Sequence, residues 1–244
     1  MLGPSMRSMV AMVVVVALLS AGCLQGPGTP ATTLHFKGTD LAASAVHPFT
    51  LTAADNSSFS LEGLRGKVVI VLFIWSYCPD VCPITSALTV RVLQLLGDAY
   101  PRDVAAISIT LDPYRDTPQT LTAYQQARGL AWPHLSGNRT QLQPIWDDFD
   151  LYVELPQLND TQIAAVRAAT EASLAHGGFP EYNESSGTGE HPSDPDDWLN
   201  YTVDHTAATF LLDARLQKRV LWSGGQWPPE DVAADVGKLV ALGP

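Results

Sequence analysis

The chain has 244 residues, of which 46% are hydrophobic, enough for one domain with a sizeable core. With 14 basic and 25 acidic residues its formal net charge is −11, and because a field of that sign repels phosphate backbones we expect no nucleic-acid partner. The 18 glycines and 18 prolines are close to average usage, which excludes collagen-like and low-complexity chains. Three cysteines are too few for a disulfide scaffold, so their positions matter more than their number.

An export signal is predicted at the N-terminus. Arg7 precedes a 13-residue apolar run, Met9–Ala21, which is shorter than the ~20 residues of a bilayer span. The run leads into Ser20-Ala21-Gly22-Cys23, which resembles a lipoprotein cleavage box whose cysteine is lipidated and becomes the new N-terminus, although that box usually has leucine where Ser20 stands. The alternative is an ordinary signal peptide in which Cys23 is incidental.

The chain is therefore predicted to contain three segments. Residues 1–23 are the signal peptide with the lipoprotein-like box, and residues 24–45 are a flexible linker that tethers the domain to the membrane. Residues 46–244 form the folded domain, with an insertion at about 154–200. The later part of that insertion, 177–198, is acidic and rich in glycine, proline and serine, as is typical of a mobile loop.

All five asparagines of the chain head an N-x-S/T sequence, the acceptor pattern for N-glycosylation. The pattern favours an extracytoplasmic protein that is glycosylated. The alternative is turn preference, because asparagine, serine and threonine all favour turns. The five positions are Asn56, Asn138, Asn159, Asn183 and Asn200.

Strands alternate with helices along the domain, which predicts an α/β layer fold. Lys67–Trp75 is a continuous β-branched and aromatic run, typical of a strand buried on both faces of a sheet, and Val104–Leu111 has the same character. Asp116-Thr117-Pro118 is a helix start signal. The other predicted elements are a strand at Phe49–Thr52, a short helix or turn at Ser60–Leu64, helices at Cys78–Gly97, Pro118–Arg128, Arg139–Phe149, Asp160–Ala175 and Pro229–Leu242, and paired strands at Thr206–Leu212 and Arg219–Trp222.

Two cysteines follow directly after the first buried strand. Cys78 and Cys82 have i, i+4 spacing at the start of a predicted helix, which places both sulfurs on one face about one turn apart. At that separation the pair can form a disulfide or hold one metal ion. A helix N-terminus lowers the pKa of a thiol and favours the thiolate, which is both the nucleophile of disulfide exchange and a soft ligand for Cu(I) or Zn(II). A structural disulfide stays open, although so small a loop constrains the unfolded chain little.

Two cysteines do not complete a metal site, and the chain offers six histidines as a third ligand. His205 stands in Val203-Asp204-His205-Thr206, just before a predicted strand, where a histidine taken alone is more often a surface or packing residue. Of the other five, His35 and His47 are expected to be solvated, and His134 to be structural or exposed. His176 and His191 belong to the insertion.

Three motifs, in order along the chain, resemble those of the SCO/SenC family, which are copper chaperones with a thioredoxin-like fold. Residues 78–83 (CPDVCP) resemble its CxxxCP motif, and residues 111–118 (LDPYRDTP) resemble its D-P-x-R-D-T loop. Residues 203–206 (VDHT) match its V-D-H-T segment, whose histidine is the third copper ligand. The resemblance covers roughly residues 46–153 and 200–242.

The resemblance implies a thioredoxin-like α/β fold, with a central mixed sheet flanked by helices, an N-terminal extension and an insertion before the last hairpin. It implies a copper site formed by Cys78, Cys82 and His205, with a Cys78–Cys82 disulfide when the pair is oxidised and metal-free. Around these ligands, Asp204 is a candidate to orient the imidazole. Three residues of the 111–118 loop are further candidates to brace the site: Asp112, Arg115 and Asp116. The alternatives are purely structural roles, namely a helix cap at Asp116 or Thr117 and an ion pair at Arg115.

The family implies an assembly factor for the binuclear copper centre of a haem–copper respiratory oxidase, with the copper-bearing oxidase subunit as partner. Two thiolates suit Cu(I), and an added imidazole also makes Cu(II) tolerable. The main alternative is a thiol–disulfide oxidoreductase that keeps the oxidase's copper-binding cysteines reduced, with little dependence on His205. A peroxidase of the same fold fits the close cysteine pair poorly, and a sensor that reports disulfide formation stays open.

Overall fold

The computed structural model describes residues 35–175 and 201–243. The predicted signal peptide, Cys23 and most of the predicted linker lie outside the described residues, as do His176, His191 and the acidic part of the insertion. No helix within the described ranges is long and apolar enough to cross a membrane.

Ten strands occur in the described part of the chain, and eight of them form one sheet. They are β1 (Thr39–Ala45), β2 (Thr50–Ala53), β3 (Ser58–Ser60), β4 (Val68–Ile74), β5 (Val104–Thr110), β6 (His134–Ser136), β7 (Val153–Glu154), β8 (Asp204–His205), β9 (Ala208–Leu212) and β10 (Gln217–Ser223). The large sheet has the order β1-β10-β9-β4-β5-β6-β2-β3, with β4, β5 and β6 parallel and the other neighbours antiparallel. A separate pair joins β7 to β8. The predicted central mixed sheet is thus confirmed.

Helices flank this sheet, and the one that begins at Pro118 starts at its predicted capping signal. Thr117 accepts a hydrogen bond from the Thr120 amide at 3.2 Å, and Pro118 occupies the first turn, where its missing N–H costs nothing. A 3-10 turn spans Leu61–Leu64, and a short helical turn spans Ala99–Arg102. The helices are α1 (Val81–Leu96), α2 (Pro118–Arg128), α3 (Arg139–Asp148), α4 (Asp160–Ala175) and α5 (Pro229–Leu242).

The two parallel strands β4 and β5 position the site. All seven residues of β4 are buried, as its unbroken apolar run predicts for a strand covered on both faces. β5 pairs with it over its whole length, from Val68↔Val104 to Ile74↔Thr110. Parallel strands end at the same edge of a sheet, so the loop that carries the cysteines and the loop at 111–117 leave the core side by side.

The predicted linker is too long, because its last part is folded. Thr39–Ala45 forms β1, an edge strand whose register with β10 runs from Thr39↔Leu221 to Ala45↔Gln217. Most of its side chains are exposed and its sequence, TDLAASA, lacks an alternating apolar pattern. Pairing with β10, rather than local propensity, explains this strand.

Three of the N-x-S/T asparagines have local structural roles. Asn138 and Asn159 each begin a helix with a capping box. The asparagine side-chain oxygen accepts from the backbone N–H of the glutamine three residues on, and the side-chain oxygen of that glutamine accepts from the asparagine backbone N–H. Asn56 has a φ of +64° in the turn between β2 and β3. The turn at Asn56 agrees with the turn preference given as the alternative to glycosylation, and the two helix caps were not predicted. Asn183 and Asn200 lie outside the described residues, and glycosylation stays a prediction.

Candidate metal centre

Cys78 and Cys82 lie where β4 ends and α1 begins. The Cys78 amide donates to the Trp75 carbonyl at 3.1 Å, so the chain makes a turn immediately after the strand. α1 begins at Val81, which places Cys82 on the helix and Cys78 in the turn before it, whereas the sequence predicted both on the helix. The Cys82 amide donates to the Cys78 sulfur at 3.4 Å. Both are free thiols, and they are only 7% and 1% exposed.

His205 comes from the two-stranded pair on the other side of the cluster. It lies opposite Val153 in the β7–β8 pairing, and the next residue extends the contact, since the Thr206 amide donates to the Tyr152 carbonyl at 3.0 Å. The imidazole Nδ1 is hydrogen-bonded to the Thr206 carbonyl at 3.1 Å. The Asp204 side chain is exposed. The Nδ1 hydrogen bond of the ring is thus to a backbone carbonyl, and the orienting role of Asp204 stays a prediction.

The structure brings together the three residues that the motifs singled out. The ligand atoms of Cys78, Cys82 and His205 all lie within 4.8 Å of one another. Two thiols and an imidazole form a soft donor set, which suits copper and also accepts zinc. The half-buried His205 is the most exposed of the three, so the cluster is reached from its side.

The two thiols have pKa values shifted in opposite directions. The pKa of Cys78 is lowered to about 4, chiefly by a hydrogen bond with the Cys82 thiol and to a lesser extent by the His205 side chain, against burial, which raises it. Burial raises the pKa of Cys82 well above its usual range, and the neighbouring Cys78 raises it further. At neutral pH the reduced pair thus consists of one thiolate and one thiol, which is a nucleophile beside a proton donor.

A buried ion pair lies in the loop after β5. Arg115 Nε donates to Asp112 Oδ2 at 2.6 Å, with side-chain exposures of 7% and 0%. The guanidinium also lies over the rings of Trp75 and Tyr77, 5.1 Å from each centroid. Arg115 therefore packs against the residues that precede Cys78. The ion pair that the sequence offered as the structural alternative for Arg115 is also present.

Asp116 joins the two strand ends. Its buried carboxylate accepts from the Ser76 amide at 3.2 Å, from the Ser76 hydroxyl, and from the Thr110 hydroxyl at 2.5 Å. Burial and the nearby Asp112 raise its pKa. The cap of α2 is Thr117, so Asp116 braces the loops rather than the helix.

Sequence reasoning missed Tyr201. Its hydroxyl donates to Asp112 Oδ1, and the Arg115 guanidinium lies 3.7 Å from its ring centroid. The ring is 3% exposed. A tyrosine four residues before His205, close to a predicted ligand, was the available signal.

Helix α4 of the insertion also contacts the site loops. Arg167 donates to the carbonyls of Pro113 and Tyr114 at 3.4 Å. Burial raises the pKa of Tyr77, the residue before Cys78, and the nearby Thr170 side chain lowers it. The sequence predicted this helix correctly but gave no reason to place it against the loop that carries the cysteines.

The other described histidines are not part of the cluster. His35 and His47 are exposed, as expected, and His47 pairs with Asp148 at 3.1 Å. His134 lies within β6 and is fully buried between Trp132 and Tyr124, and burial lowers its pKa to about 4. Its expected structural role is consistent with this position.

The fold and the cluster define a thioredoxin-like α/β protein with a Cys–Cys–His centre. The SCO1/SenC family profile matches residues 37–176, more than half of the chain, and the chain belongs to that family. SenC of Rhodobacter capsulatus is 28% identical over 207 residues, covering 84% of this chain and 76% of that protein. The SCO2-like protein of Rickettsia prowazekii is 26% identical over 167 residues, covering 68% of this chain and 63% of that protein. The chain thus matches less than two thirds of the Rickettsia protein.

Solved structures agree with the fold. The copper-bound structure of Bradyrhizobium japonicum ScoI superposes with a TM-score of 0.55 and 25% identity, covering 80% of this chain and 99% of that chain. The copper-bound structure of yeast Sco1 has a TM-score of 0.59 and 21% identity, covering 81% of this chain and 89% of that chain. The family and the fold predicted from the motifs are confirmed. The family profile match ends before His205, so it is the structure that brings this histidine to the cysteines.

Proposed function

We propose that the protein binds one copper ion through Cys78, Cys82 and His205. The main support is geometric, because the ligand atoms of these three residues lie within 4.8 Å of one another. Two sulfur donors and one imidazole satisfy Cu(I) and make Cu(II) tolerable. The copper-bound structures of relatives with this fold support the choice of copper over zinc.

The bound ion is cargo, delivered to the copper-bearing subunit of a haem–copper respiratory oxidase. The cysteines lie at the end of a fully buried strand, whereas His205 is half-buried on a two-residue strand. An incoming ligand therefore meets the imidazole first and can replace it while both sulfurs still hold the ion. Membership of the SCO1/SenC family supports this assignment.

Anchoring by lipid on Cys23, at the extracytoplasmic face of the membrane, completes the proposal. The apolar run Met9–Ala21, followed directly by Gly22-Cys23, supports it. A tether between Cys23 and β1 would keep the copper site close to a membrane-bound oxidase.

A Cu(I) titration of the reduced protein against a chelator of known affinity tests copper binding. One tightly bound ion is expected, lost in Cys78→Ser/Cys82→Ser and weakened in His205→Ala. His47→Ala, which removes an exposed histidine elsewhere, is the matched control and leaves the affinity unchanged. Weak, nonspecific binding by the unaltered protein would contradict the proposal.

A second candidate, a thiol–disulfide oxidoreductase, is favoured by one observation. Cys78 is a free thiol with a pKa lowered to about 4, beside the protonated Cys82. Such a pair can attack a substrate disulfide and then release the product by forming the Cys78–Cys82 bond. This activity would persist in His205→Ala, whereas copper binding would be weakened, so the same variant separates the two functions.

A further inference from the structure

The residues before His205 alternate in burial. Tyr201 and Val203 are buried, Thr202 and Asp204 are exposed, and His205 is half-buried. In an extended chain, residues two apart face the same side. Tyr201, Val203 and His205 therefore form the inner face of one extended segment, with the tyrosine and the histidine at its two ends.

The Tyr201 end of this segment is fixed by two contacts with one ion pair. The hydroxyl donates to Asp112 Oδ1, and the Arg115 guanidinium covers the ring at 3.7 Å. Arg115 in turn lies over Trp75 and Tyr77, which lead into Cys78. A continuous set of contacts thus links the cysteine turn to the segment that carries the histidine.

The opposite end is held by a short strand pair and by two hydrogen bonds between Thr206 and Tyr152, before the chain enters β9 at Ala208. β8 has two residues and pairs only with the two-residue β7 among the described strands. Four extended residues span at most about 14 Å. A fixed Tyr201 therefore limits where the imidazole can lie relative to the two sulfurs.

We propose that Tyr201 is a positioning residue for the histidine ligand of the copper site. The inference rests on the proposed copper function, because it concerns the same cluster. Asp112 also accepts from the amides of Tyr114 and Arg115 and from Arg115 Nε. Loss of the tyrosine hydroxyl leaves that carboxylate with three donors, so its effect falls on the 201–206 segment rather than on the loop.

Tyr201→Phe removes the hydroxyl and keeps the ring, and Tyr201→Leu also removes the stacking on Arg115. Tyr114→Phe is the matched control, because Tyr114 packs edge-on against Tyr201 at 6.2 Å but its hydroxyl bonds to Pro156, outside the segment. Two readouts are compared on the full chain. They are the amide exchange rate of Thr206 in the copper-free protein and the affinity and spectrum of bound Cu(II).

Tyr201→Phe is expected to speed Thr206 exchange and to weaken Cu(II) binding on the order of 10- to 100-fold, as loss of a supporting contact typically does. Tyr201→Leu is expected to have a larger effect on both readouts, with a Cu(II) spectrum that approaches that of His205→Ala. Equal behaviour of Tyr201→Phe and Tyr114→Phe in both readouts would overturn the inference. If His205→Ala binds copper like the unaltered protein, the proposed function fails, and Thr206 exchange still decides whether Tyr201 fixes the segment.

Discussion

The cysteine side and the histidine side of the candidate centre are built in different ways. Cys78 and Cys82 follow β4, a strand buried over all seven residues, and their sulfurs lie in the core. His205 belongs to a two-residue strand and is held through Tyr201, Thr206 and a backbone carbonyl. The comparison indicates a rigid pair of sulfurs and a third ligand whose position depends on a few hydrogen bonds.

This difference suits a protein that must both hold copper and release it. Two sulfurs in fixed positions retain Cu(I), and an imidazole on a lightly held segment can be exchanged first. The predictions below test the two sides separately, from the largest expected effect to the smallest.

Loss of one sulfur should have a far larger effect than loss of the imidazole. Cys82→Ser is expected to abolish tight Cu(I) binding, because the remaining thiolate and imidazole form only a two-ligand site. His205→Ala is expected to keep measurable Cu(I) binding and to lose more of its affinity for Cu(II). Competition titrations in both oxidation states measure this, and equal losses in the two variants would contradict the contrast between the sides.

The two cysteines should also react differently with iodoacetamide. The pKa of Cys78 is lowered to about 4, so its thiolate is present above that pH and is lost as the pH falls through 4. Cys82 is 1% exposed and has a raised pKa, so it should remain unmodified. Alkylation of the copper-free protein, mapped by mass spectrometry, is expected at Cys78 alone, at a rate that is nearly constant from pH 6 to 8. A rate that keeps rising towards pH 9 would contradict the assigned thiolate.

The ion pair at Arg115 joins the two sides, so its loss should affect both. Arg115→Ala leaves the Asp112 carboxylate buried without its charged partner, and we expect a loss of about 3–5 kcal/mol in the free energy of unfolding. Arg65→Ala is the control, because its pair with Glu62 is 54% and 41% exposed and should contribute less than about 1 kcal/mol. Urea denaturation of both variants measures the difference, and similar losses would show that Arg115 is not a special contact.

Gly225 offers a way to disturb the cysteine side directly. A Cβ on this residue would lie 2.5 Å from Val81 Cγ2, on the stretch between the two cysteines. Gly225→Ala is expected to cost about 1–3 kcal/mol of stability and to weaken Cu(I) binding. Gly63→Ala, where no atom lies within 4 Å of the added Cβ, is the control. Thr206 amide exchange should not change in Gly63→Ala, and in Gly225→Ala it should change by a smaller factor than the Cu(I) affinity. A larger factor at Thr206 would contradict the separate construction of the two sides.

The sequence predicted the elements that carry a local pattern and missed those that form only by pairing, among them the seven-residue β1. β4, β5 and all five helices carry continuous apolar runs, capping signals or helical periodicity, which are local properties. β7 and β8 are two residues long and exist only through pairing with each other, so no local pattern could predict them.

The same limit applies to the candidate site. Cys78, Cys82 and His205 could be predicted because the motifs carry them, and the structure brings them together. Tyr201 and Thr170 act through contacts with residues distant in the sequence, to Asp112 and Tyr77, which spacing alone does not reveal.

X-ray absorption spectroscopy of the Cu(I)-loaded protein tests the central claim most directly. The account predicts two sulfur and one nitrogen neighbours around copper in the unaltered protein, and loss of the nitrogen with both sulfurs kept in His205→Ala. Identical coordination in the two proteins would contradict a centre built from a rigid cysteine pair and a separately held histidine.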